Sequence, residues 1–589
     1  MSGKKNSSDK MWVRIVCLIL GALMALSAVA MVISAFLPGS YAKSVPKTSV
    51  NADSEVSVGL YFDGSAVQSK TLSCAQGFVM DINGYILGTN ETDIIVAADG
   101  NEYEYNNDII VNPVDENGEP DNSKGIKIIG GYHIGVTSFS IGDGTGIQTD
   151  NPVYIDKKGG SNSTYSFTKD NIDEYTELFR SSVTTNQDTK NLSLDLFPAY
   201  IGGKYYMMVG SFYTEEEANE ILELLNDIYS MNASVFAPNQ NVVTVHTLKN
   251  DILLETDIGA SFKISAKNNG IISIGSNMYK GNFAFVRSNF TYDAINVINR
   301  LSLEDYVKAC LSTEISPLES AETIKAAAIV FRTAALCGLD THKDSSFDVC
   351  SDIHCMKYIG CAAYSDSDKI SNAVDATAGT VITYEDALIY PVYCRSAMST
   401  TVSAEDAFGE DIPYLRSLLT NWEMDDSVYG DWKYEVSASD LYALTVAGGY
   451  TELSGSVKSV TVNKRSENSL YATSVTFVDI FGNELTVEGS ENIRKLFGGN
   501  LPSSAFIVSK AGKPVTFSYY AEGGQVSEIT RTLEGTPGYF IFCGEGIGSG
   551  VGLSLSGAAK LAENGYSYDQ ILSAYYPETE IYTVEIKNK

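Results

Sequence analysis

Residues 303–339 read LEDYVKACLSTEISPLESAETIKAAAIVFRTAALCGL, and this stretch decides how the chain is interpreted. Apolar residues at helical spacing predict two helices, one over about 304–312 and an Ala-rich one over about 320–337. The connector between the two helices carries Glu314 and is stiffened by Pro317. The stretch therefore predicts a helix pair with a carboxyl group at its mouth.

Two cations of the Ala-rich segment are candidates for substrate contact. Lys325 and Arg332 are seven residues apart, so they share one helical face. Cations behind an acidic group can bind a saccharide or shift the pKa of that acid. A solvated position is the alternative for Lys325, and a buried ion pair is the alternative for Arg332.

The stretch resembles the SpoIID/LytB family of sporulation and cell-wall enzymes, in the pieces LEDYV, TEISP and KAAAIVFRTAAL. Further pieces follow in the family's order over about half of the chain. They are FDVCSDIHCMKY, NAVDATAGTVITY, YCRSAMSTTVSAEDAF, PYLRS and GEGIGSGVGLSLSGAAKLAENGYSYDQILSAYYP. The resemblance implies a C-terminal α+β domain over 250–585 and a lytic transglycosylase that cleaves glycan strands lacking stem peptides.

Glu314 is the acid/base that the resemblance implies. One carboxyl group suffices for this reaction: it protonates the leaving oxygen and then accepts a hydroxyl proton as a 1,6-anhydro ring closes, without a nucleophilic water. No cofactor is required for that chemistry. The residues that the resemblance implies for substrate contact are Lys325, Arg332, Thr333, Ser396, Thr401, Glu405 and Ser549.

Several positions depart from the family pattern. Gly548-Ser549-Gly550 replaces Gly-His-Gly, and Ser554-Leu555 replaces a Ser-Gln pair. Cys394 takes the place of a histidine, and Ala397-Met398 the place of glycines. Lost imidazole and glycine groups change titration and backbone approach to a ligand. The alternative function is therefore a non-catalytic peptidoglycan-binding wall or division protein with a degenerate cleft.

Cys350, His354 and Cys355 lie within six residues and can bind zinc, as a related cluster does in some family members. The fourth ligand is left open among Asp352, Cys361, Cys394 and water. A disulfide or ordinary buried cysteines are the alternatives. We expect any zinc here to be structural rather than catalytic.

Residues 196–245 resemble a SPOR module, a small ferredoxin-like domain that binds peptidoglycan. The pattern is a Tyr-rich strand followed by a helix whose capping box pairs Thr214 with Glu217. Tyr205 and Phe212 are the candidate glycan contacts on the strand. A structural ferredoxin-like module is an equal alternative.

The N-terminal residues predict a membrane anchor. No charged residue lies between Ile15 and Ser40, which predicts a transmembrane helix over 15–38 after a basic cytoplasmic tail over 1–14. A cleaved signal peptide is the alternative. A linker over 39–53 and a β-rich region of unknown role over 54–190 follow. The predicted localisation is a single-pass cell-membrane protein whose bulk lies outside the cytoplasm.

The charge of the chain limits its partners. The 41 basic and 73 acidic residues give a net charge of −32, which argues against nucleic acid. The expected partners are peptidoglycan glycan strands, the membrane through one helix, and a cell-wall amidase or sporulation or division proteins.

Overall fold

The structure is a computed structural model of the 589-residue chain. The residues that it describes are 45–47, 54–98, 109–111, 127–129, 131–142, 162–192, 194–239, 241–249, 251–258, 262–289, 294–361, 368–423, 432–521 and 525–584.

The predicted fold class included a membrane-spanning helix, and this part needs correction. Among the described residues, no helix has the length and apolar character needed to cross a membrane. The single-pass membrane localisation predicted from sequence is therefore wrong for this part of the chain. Residues 15–38, from which that prediction was made, lie outside the described residues. The described chain is a mixed α/β protein with many strands.

The chain divides into two compact units. The N-terminal unit comprises residues 54–313 and 338–365, and the C-terminal unit comprises residues 1–53, 314–337 and 366–589. The domain predicted over 250–585 thus contributes to both units. The boundaries between the units lie just after each of the two predicted helices, between Thr313 and Glu314 and between Cys337 and Gly338.

The N-terminal unit contains a seven-stranded and an eleven-stranded sheet. The region 54–190, predicted to be β-rich, contributes strands such as EVSVGLY over Glu55–Tyr61 and DIIVAA over Asp93–Ala98. The strands are Glu55–Tyr61, Ser69–Ser73, Phe78–Ile82, Tyr85–Thr89, Asp93–Ala98, Ile109–Val111, Lys127–Ile129, Tyr132–Gly142, Asn162–Ser166, Leu196–Ile201, Lys204–Phe212, Asn232–Phe236, Val242–Thr247, Ile252–Asp257, Phe262–Ala266, Ile272–Ile274, Asn277–Tyr279, Asn282–Arg287, Ile295–Ser302 and Val349–Cys350. The helices are Ile172–Thr185, Glu215–Tyr229 and Leu303–Glu314, the last of which ends on the first residue of the next unit's segment.

Part of the eleven-stranded sheet has a ferredoxin-like order. Strand Tyr132–Gly142 lies between Lys204–Phe212 and Asn232–Phe236, and Leu196–Ile201 pairs with the far edge of Lys204–Phe212. The helix after Lys204–Phe212 begins at the predicted capping box, where the backbone N–H of Glu217 donates to Thr214 Oγ1 at 3.1 Å. The central strand, Tyr132–Gly142, belongs to the β-rich region that was predicted over 54–190 as separate from the SPOR module. Residues 196–245 therefore do not form a sheet of their own.

The C-terminal unit consists of small sheets and seven helices among its described residues. Its strands are Val45–Pro46, Thr380–Tyr384, Ala387–Leu388, Tyr393–Cys394, Trp432–Val436, Val457–Arg465, Ala472–Asp479, Glu484–Glu488, Phe506–Lys510, Lys513–Ala521, Gln525–Leu533, Phe540–Gly544, Leu553–Ser554 and Glu580–Thr583. Its helices are Ala321–Gly338, Lys369–Ala376, Ala404–Phe408, Ala438–Ala447, Ser490–Leu496, Leu555–Glu563 and Tyr568–Tyr575.

The Ala-rich helix Ala321–Gly338 is buried along most of its length, as its apolar composition requires. Small alanine side chains let neighbouring backbone approach the helix closely. The short strand Tyr393–Cys394 runs parallel to Leu553–Ser554 in the same unit. This pair of strands positions the polar residues described next.

Candidate active site and metal centre

Glu314 lies at the last position of its helix, and its carboxylate is partly exposed. Arg395 Nη2 donates to Glu314 Oε2 at 3.1 Å, across 81 positions of sequence. The side chains are 20% exposed for Glu314 and 40% exposed for Arg395. An ion pair with this much exposure contributes little to stability. Both side chains can therefore exchange this contact for another one.

The backbone around Arg395 is fixed on both sides. The N–H of Arg395 donates to the carbonyl of Ile547 in the glycine loop at 3.0 Å. Its carbonyl accepts from the N–H of Ser556 at 3.0 Å. Gly548 has a φ of +109° there, and a Cβ at this position would lie 2.9 Å from the Cβ of Cys394. Glycine is thus required for the loop to approach the strand that carries Arg395.

Glu423 is a second glutamate of this unit, and it is fully buried. Its Oε2 accepts from the backbone N–H groups of Ala397 and Met398 at 3.2 and 3.1 Å. Three serine hydroxyls and one tyrosine hydroxyl also donate to the carboxylate. They are Ser554 and Ser556, each at 2.8 Å, Ser396 at 3.4 Å, and Tyr575, which donates to Oε1 at 3.2 Å. One carboxylate therefore joins the Arg395 strand to the last two helices.

Burial raises the pKa of Glu423 to about 7, and the hydrogen bonds from Ser554, Ser556 and the backbone act against that shift. Glu423 is not among the residues predicted from sequence, because a single acidic residue is usually exposed. Arg395 had a weak signal: it is the only charged residue between Tyr393 and Ala404.

The three candidates on the Ala-rich helix have different environments. Lys325 is half-buried and donates to Glu322 Oε1 at 2.8 Å, which lowers the pKa of Glu322. Arg332 has no exposed surface and donates to the carbonyls of Thr380 and Val374 at 3.1 Å each. Thr333 is also fully buried, and its hydroxyl donates to the Ile329 carbonyl at 2.7 Å. The prediction that Arg332 and Thr333 contact substrate is thus replaced by a structural role.

The remaining candidates of the C-terminal unit do not form one surface. Ser396 is buried and donates to Glu423. Thr401 is buried, and its hydroxyl accepts from the Leu418 N–H at 2.7 Å. The Ser549 hydroxyl accepts from the Val551 N–H at 3.2 Å within the glycine loop. Glu405 is exposed and lines an open cavity with Asp406, Lys464, Glu488 and Asn492. Ser396 and Thr401 accordingly hold the scaffold in this structure.

The two SPOR-type candidates lie in the N-terminal unit. Phe212 is buried, and its ring covers Gly210, where a Cβ would lie 2.3 Å from the ring. Tyr205 is partly buried and packs against Tyr200 with ring centroids 4.8 Å apart. Phe212 is therefore a core residue, and Tyr205 is the more accessible of the two.

His342, Cys350, His354 and Cys355 form a cluster whose ligand atoms all lie within 4.8 Å of one another. Nε2 of His342 is 3.3 Å from Nδ1 of His354 and 3.5 Å from Sγ of Cys355. Nδ1 of His354 is 3.7 Å from Sγ of Cys350 and 3.4 Å from Sγ of Cys355. A tetrahedral zinc ion with bonds of about 2.0–2.3 Å holds its ligands about 3.3–3.8 Å apart. The four side chains therefore fit that ion.

The state of the thiols agrees with this donor set. Both cysteines are free thiols, so the disulfide alternative is not realised in the structure. The hydrogen bond with Cys355, followed by those with His342 and His354, lowers the pKa of the Cys350 thiol, whereas the hydrogen bond with Cys350 and burial raise the pKa of the Cys355 thiol. The sequence analysis missed His342 because it lies eight residues before Cys350. Its signal was scarcity, since the whole chain has four histidines.

The comparisons with known proteins bear on this region. The family model SpoIID, described as Stage II sporulation protein, matches residues 291–384, which include Glu314 and the Cys/His cluster. Stage II sporulation protein D of Bacillus subtilis is 25% identical over 297 residues, covering 48% of this chain and 75% of the relative. Over this region the chain is similar to the SpoIID/LytB family.

Two further relatives extend the comparison. The amidase enhancer of Bacillus subtilis is 24% identical over 302 residues, covering 47% of this chain and 40% of the relative. An uncharacterized protein of Brachyspira hyodysenteriae is 26% identical over 319 residues, covering 53% of this chain and 74% of the relative. The family resemblance that the sequence analysis stated is confirmed, whereas the SPOR assignment stays a prediction.

Proposed function

We propose that the chain acts on the cell wall as a lytic transglycosylase, with Glu314 as the acid/base and peptidoglycan glycan strands without stem peptides as the substrate. The observation that carries the proposal is the partly exposed carboxylate of Glu314 inside the segment that matches the SpoIID family model. The relatives named for sporulation and for amidase enhancement support a cell-wall context. A cell-wall amidase, which removes stem peptides, is the partner that we propose on the same grounds.

The reaction needs one group that gives and then takes a proton. The Glu314 carboxylic acid donates its proton to the leaving oxygen as the bond from C1 of N-acetylmuramic acid to that oxygen breaks. The resulting carboxylate then accepts the proton of the C6 hydroxyl as the C1–O6 bond forms. Glu314 ends protonated, ready for the next bond. A second carboxylate and a water nucleophile, which ordinary glycosidases use, are not needed.

The test is digestion of purified glycan strands by the parent chain and by Glu314→Gln. We expect 1,6-anhydro products from the parent and a loss of about 1,000-fold or more in the variant, because Gln has no proton to transfer. The exposed Glu563→Gln substitution in the same unit is the matched control. Strand binding by the parent without any anhydro product would favour the alternative, a non-catalytic glycan-binding protein.

We also propose that His342, Cys350, His354 and Cys355 hold a structural zinc ion. The ion would tie the loop after the Ala-rich helix to strand Val349–Cys350 and would supply folding free energy. The donor set of two thiols and two imidazoles, at the spacings given above, supports zinc over magnesium or calcium, which prefer oxygen ligands.

Elemental analysis of the purified chain tests the metal proposal. We expect about one zinc per chain, and a loss of about 10-fold or more in affinity for His342→Ala with a lowered unfolding temperature. His246→Ala, which changes a buried histidine of the same unit, is the control for a general loss of packing. Zinc retained at full stoichiometry in both His342→Ala and Cys355→Ser would contradict the site.

A further inference from the structure

We propose that Arg395 is the carboxylate-recognition residue of the cleft: an anionic group on the glycan replaces Glu314 on the guanidinium and releases Glu314 for proton transfer. The inference rests on the function proposed above and names the residue that selects its substrate. It begins with the ion pair, in which the Arg395 guanidinium donates one hydrogen bond among the described residues.

The Arg395 side chain has donors to spare. A guanidinium carries five N–H groups in a flat fork, and the contact with Glu314 Oε2 uses one of them. The side chain is 40% exposed, so the remaining donors are open to a ligand. The fork matches the two oxygens of a carboxylate, which it binds with two parallel hydrogen bonds. A carboxylate is therefore the ligand that this position fits best.

The position of the cation is set by the scaffold. Hydrogen bonds to Ile547 and Ser556 hold the Arg395 backbone, and Glu423 holds the next residues through the N–H groups of Ala397 and Met398. The backbone thus stays in place while the side chain exchanges partners. A recognition site needs this combination of a fixed backbone and a side-chain group that can still bind a ligand.

The substrate supplies the competing anion. When the stem peptide is removed from N-acetylmuramic acid, the lactyl group at C3 ends in a free carboxylate. With the peptide attached, the same carbon is part of a neutral amide. A guanidinium attracts the anionic form of a carboxyl group, whereas protonation of the leaving oxygen requires the neutral acid. Exchange of Glu314 for the lactyl carboxylate therefore couples recognition of the bare strand to release of the acid.

The experiment compares two matched glycan oligosaccharides, both free of peptide, one with lactyl carboxylates and one with the corresponding primary carboxamides. Binding is measured by titration calorimetry for the parent, Arg395→Gln and Glu314→Gln. The parent should bind the carboxylate glycan about 10-fold or more tightly, the usual range for a charge-assisted pair. Arg395→Gln should lose this preference. Glu314→Gln should bind the carboxylate glycan more tightly than the parent does, because the internal competitor is gone.

Two further variants separate recognition from general damage. Arg416→Gln removes an exposed arginine of the same unit that pairs with Asp411, and it should keep the preference. Arg395→Lys keeps the charge without the fork and should keep part of the preference. Thermal unfolding of each variant shows whether the chain is folded.

The outcomes distinguish the inference from the proposed function. A preference for the carboxylate glycan that Arg395→Gln abolishes, without turnover by the parent, rules out the transglycosylase and leaves only the carboxylate recognition by Arg395 standing. Turnover with equal affinity for both glycans overturns the inference alone. An unchanged preference in a folded Arg395→Gln, or a Glu314→Gln variant that binds the carboxylate glycan no more tightly than the parent, also overturns it.

Discussion

Glu314 and Glu423 present the same carboxyl group in two regions of the C-terminal unit. Glu314 accepts one hydrogen bond from an arginine that is itself partly exposed. Glu423 has no exposed surface and accepts from two backbone N–H groups and four hydroxyls. The Glu314 carboxylate has lone pairs available to a ligand. The Glu423 carboxylate is surrounded by donors that already hydrogen-bond to it.

This difference separates a chemical role from a structural one. A group that transfers protons must change partners during the reaction, and that requires a weak contact at a solvent-accessible position. A buried carboxylate is costly unless its donors satisfy it, and once satisfied it fixes the backbone around it. Glu423 thus holds the scaffold on which Arg395 meets Glu314. Four measurements test the comparison.

The largest effect is expected for Glu423→Ala. The substitution leaves two buried N–H groups and several hydroxyls without an acceptor, which costs about 3–5 kcal/mol of unfolding free energy. Denaturant unfolding followed by tryptophan fluorescence measures this well, because Trp422 is the adjacent residue. A cost below about 1 kcal/mol would remove the distinction between the two glutamates.

The pH dependence of stability is the next effect. Since burial raises the pKa of Glu423 from 4.5 to about 7, the folded state holds a proton in that window that the unfolded state has lost. The stabilisation of the folded state by this proton is fully present below about pH 4.5. It is lost as the pH rises to about 7, which lowers the unfolding free energy by roughly 3 kcal/mol.

Glu423→Gln is the variant that isolates the effect of Glu423 titration on stability. The amide keeps an acceptor for the same donors but does not titrate. The difference in unfolding free energy between the parent and Glu423→Gln should therefore change between pH 5 and pH 7.5. A constant difference over that range would contradict the raised pKa.

A smaller effect is expected for Ser556→Ala. It removes one of six hydrogen bonds to Glu423, that of the Ser556 hydroxyl at 2.8 Å, and leaves the other donors in place. The expected loss is about 1 kcal/mol. The control is Ser573→Ala, whose exposed hydroxyl donates to the carbonyl of Asp569 within one helix. Equal losses of unfolding free energy in the two variants would show that the hydrogen bond from Ser556 to Glu423 adds no more stability than an exposed one.

The smallest effect on stability is expected for Glu314→Gln. Loss of a partly exposed ion pair costs less than about 1 kcal/mol, so the unfolding transition should stay where it is in the parent. The same variant is expected to lose turnover, as described above. A loss of several kcal/mol would instead make Glu314 a structural residue like Glu423.

The local features of the fold were predictable from sequence. The helices found over Leu303–Glu314 and Ala321–Gly338 match the predicted pair, since their apolar spacing and the connector with Pro317 are read within a few residues. The same holds for the helix cap at Thr214. Arg332, by contrast, was placed on a binding face because helical spacing does not say which face is buried.

From the sequence alone came the resemblance to the SpoIID/LytB family, the choice of Glu314 as the candidate acid, and three of the four side chains of the Cys/His cluster. Each of these depends on residues close together in the chain. The contact of Arg395 with Glu314 across 81 positions, and that of Ser556 with Glu423 across 133, became visible in the folded chain. Such pairs carry no periodic signal, because their partners are chosen by the packing of distant strands and helices. The sequence therefore identifies candidate residues of the site, and the fold determines which charged groups meet there.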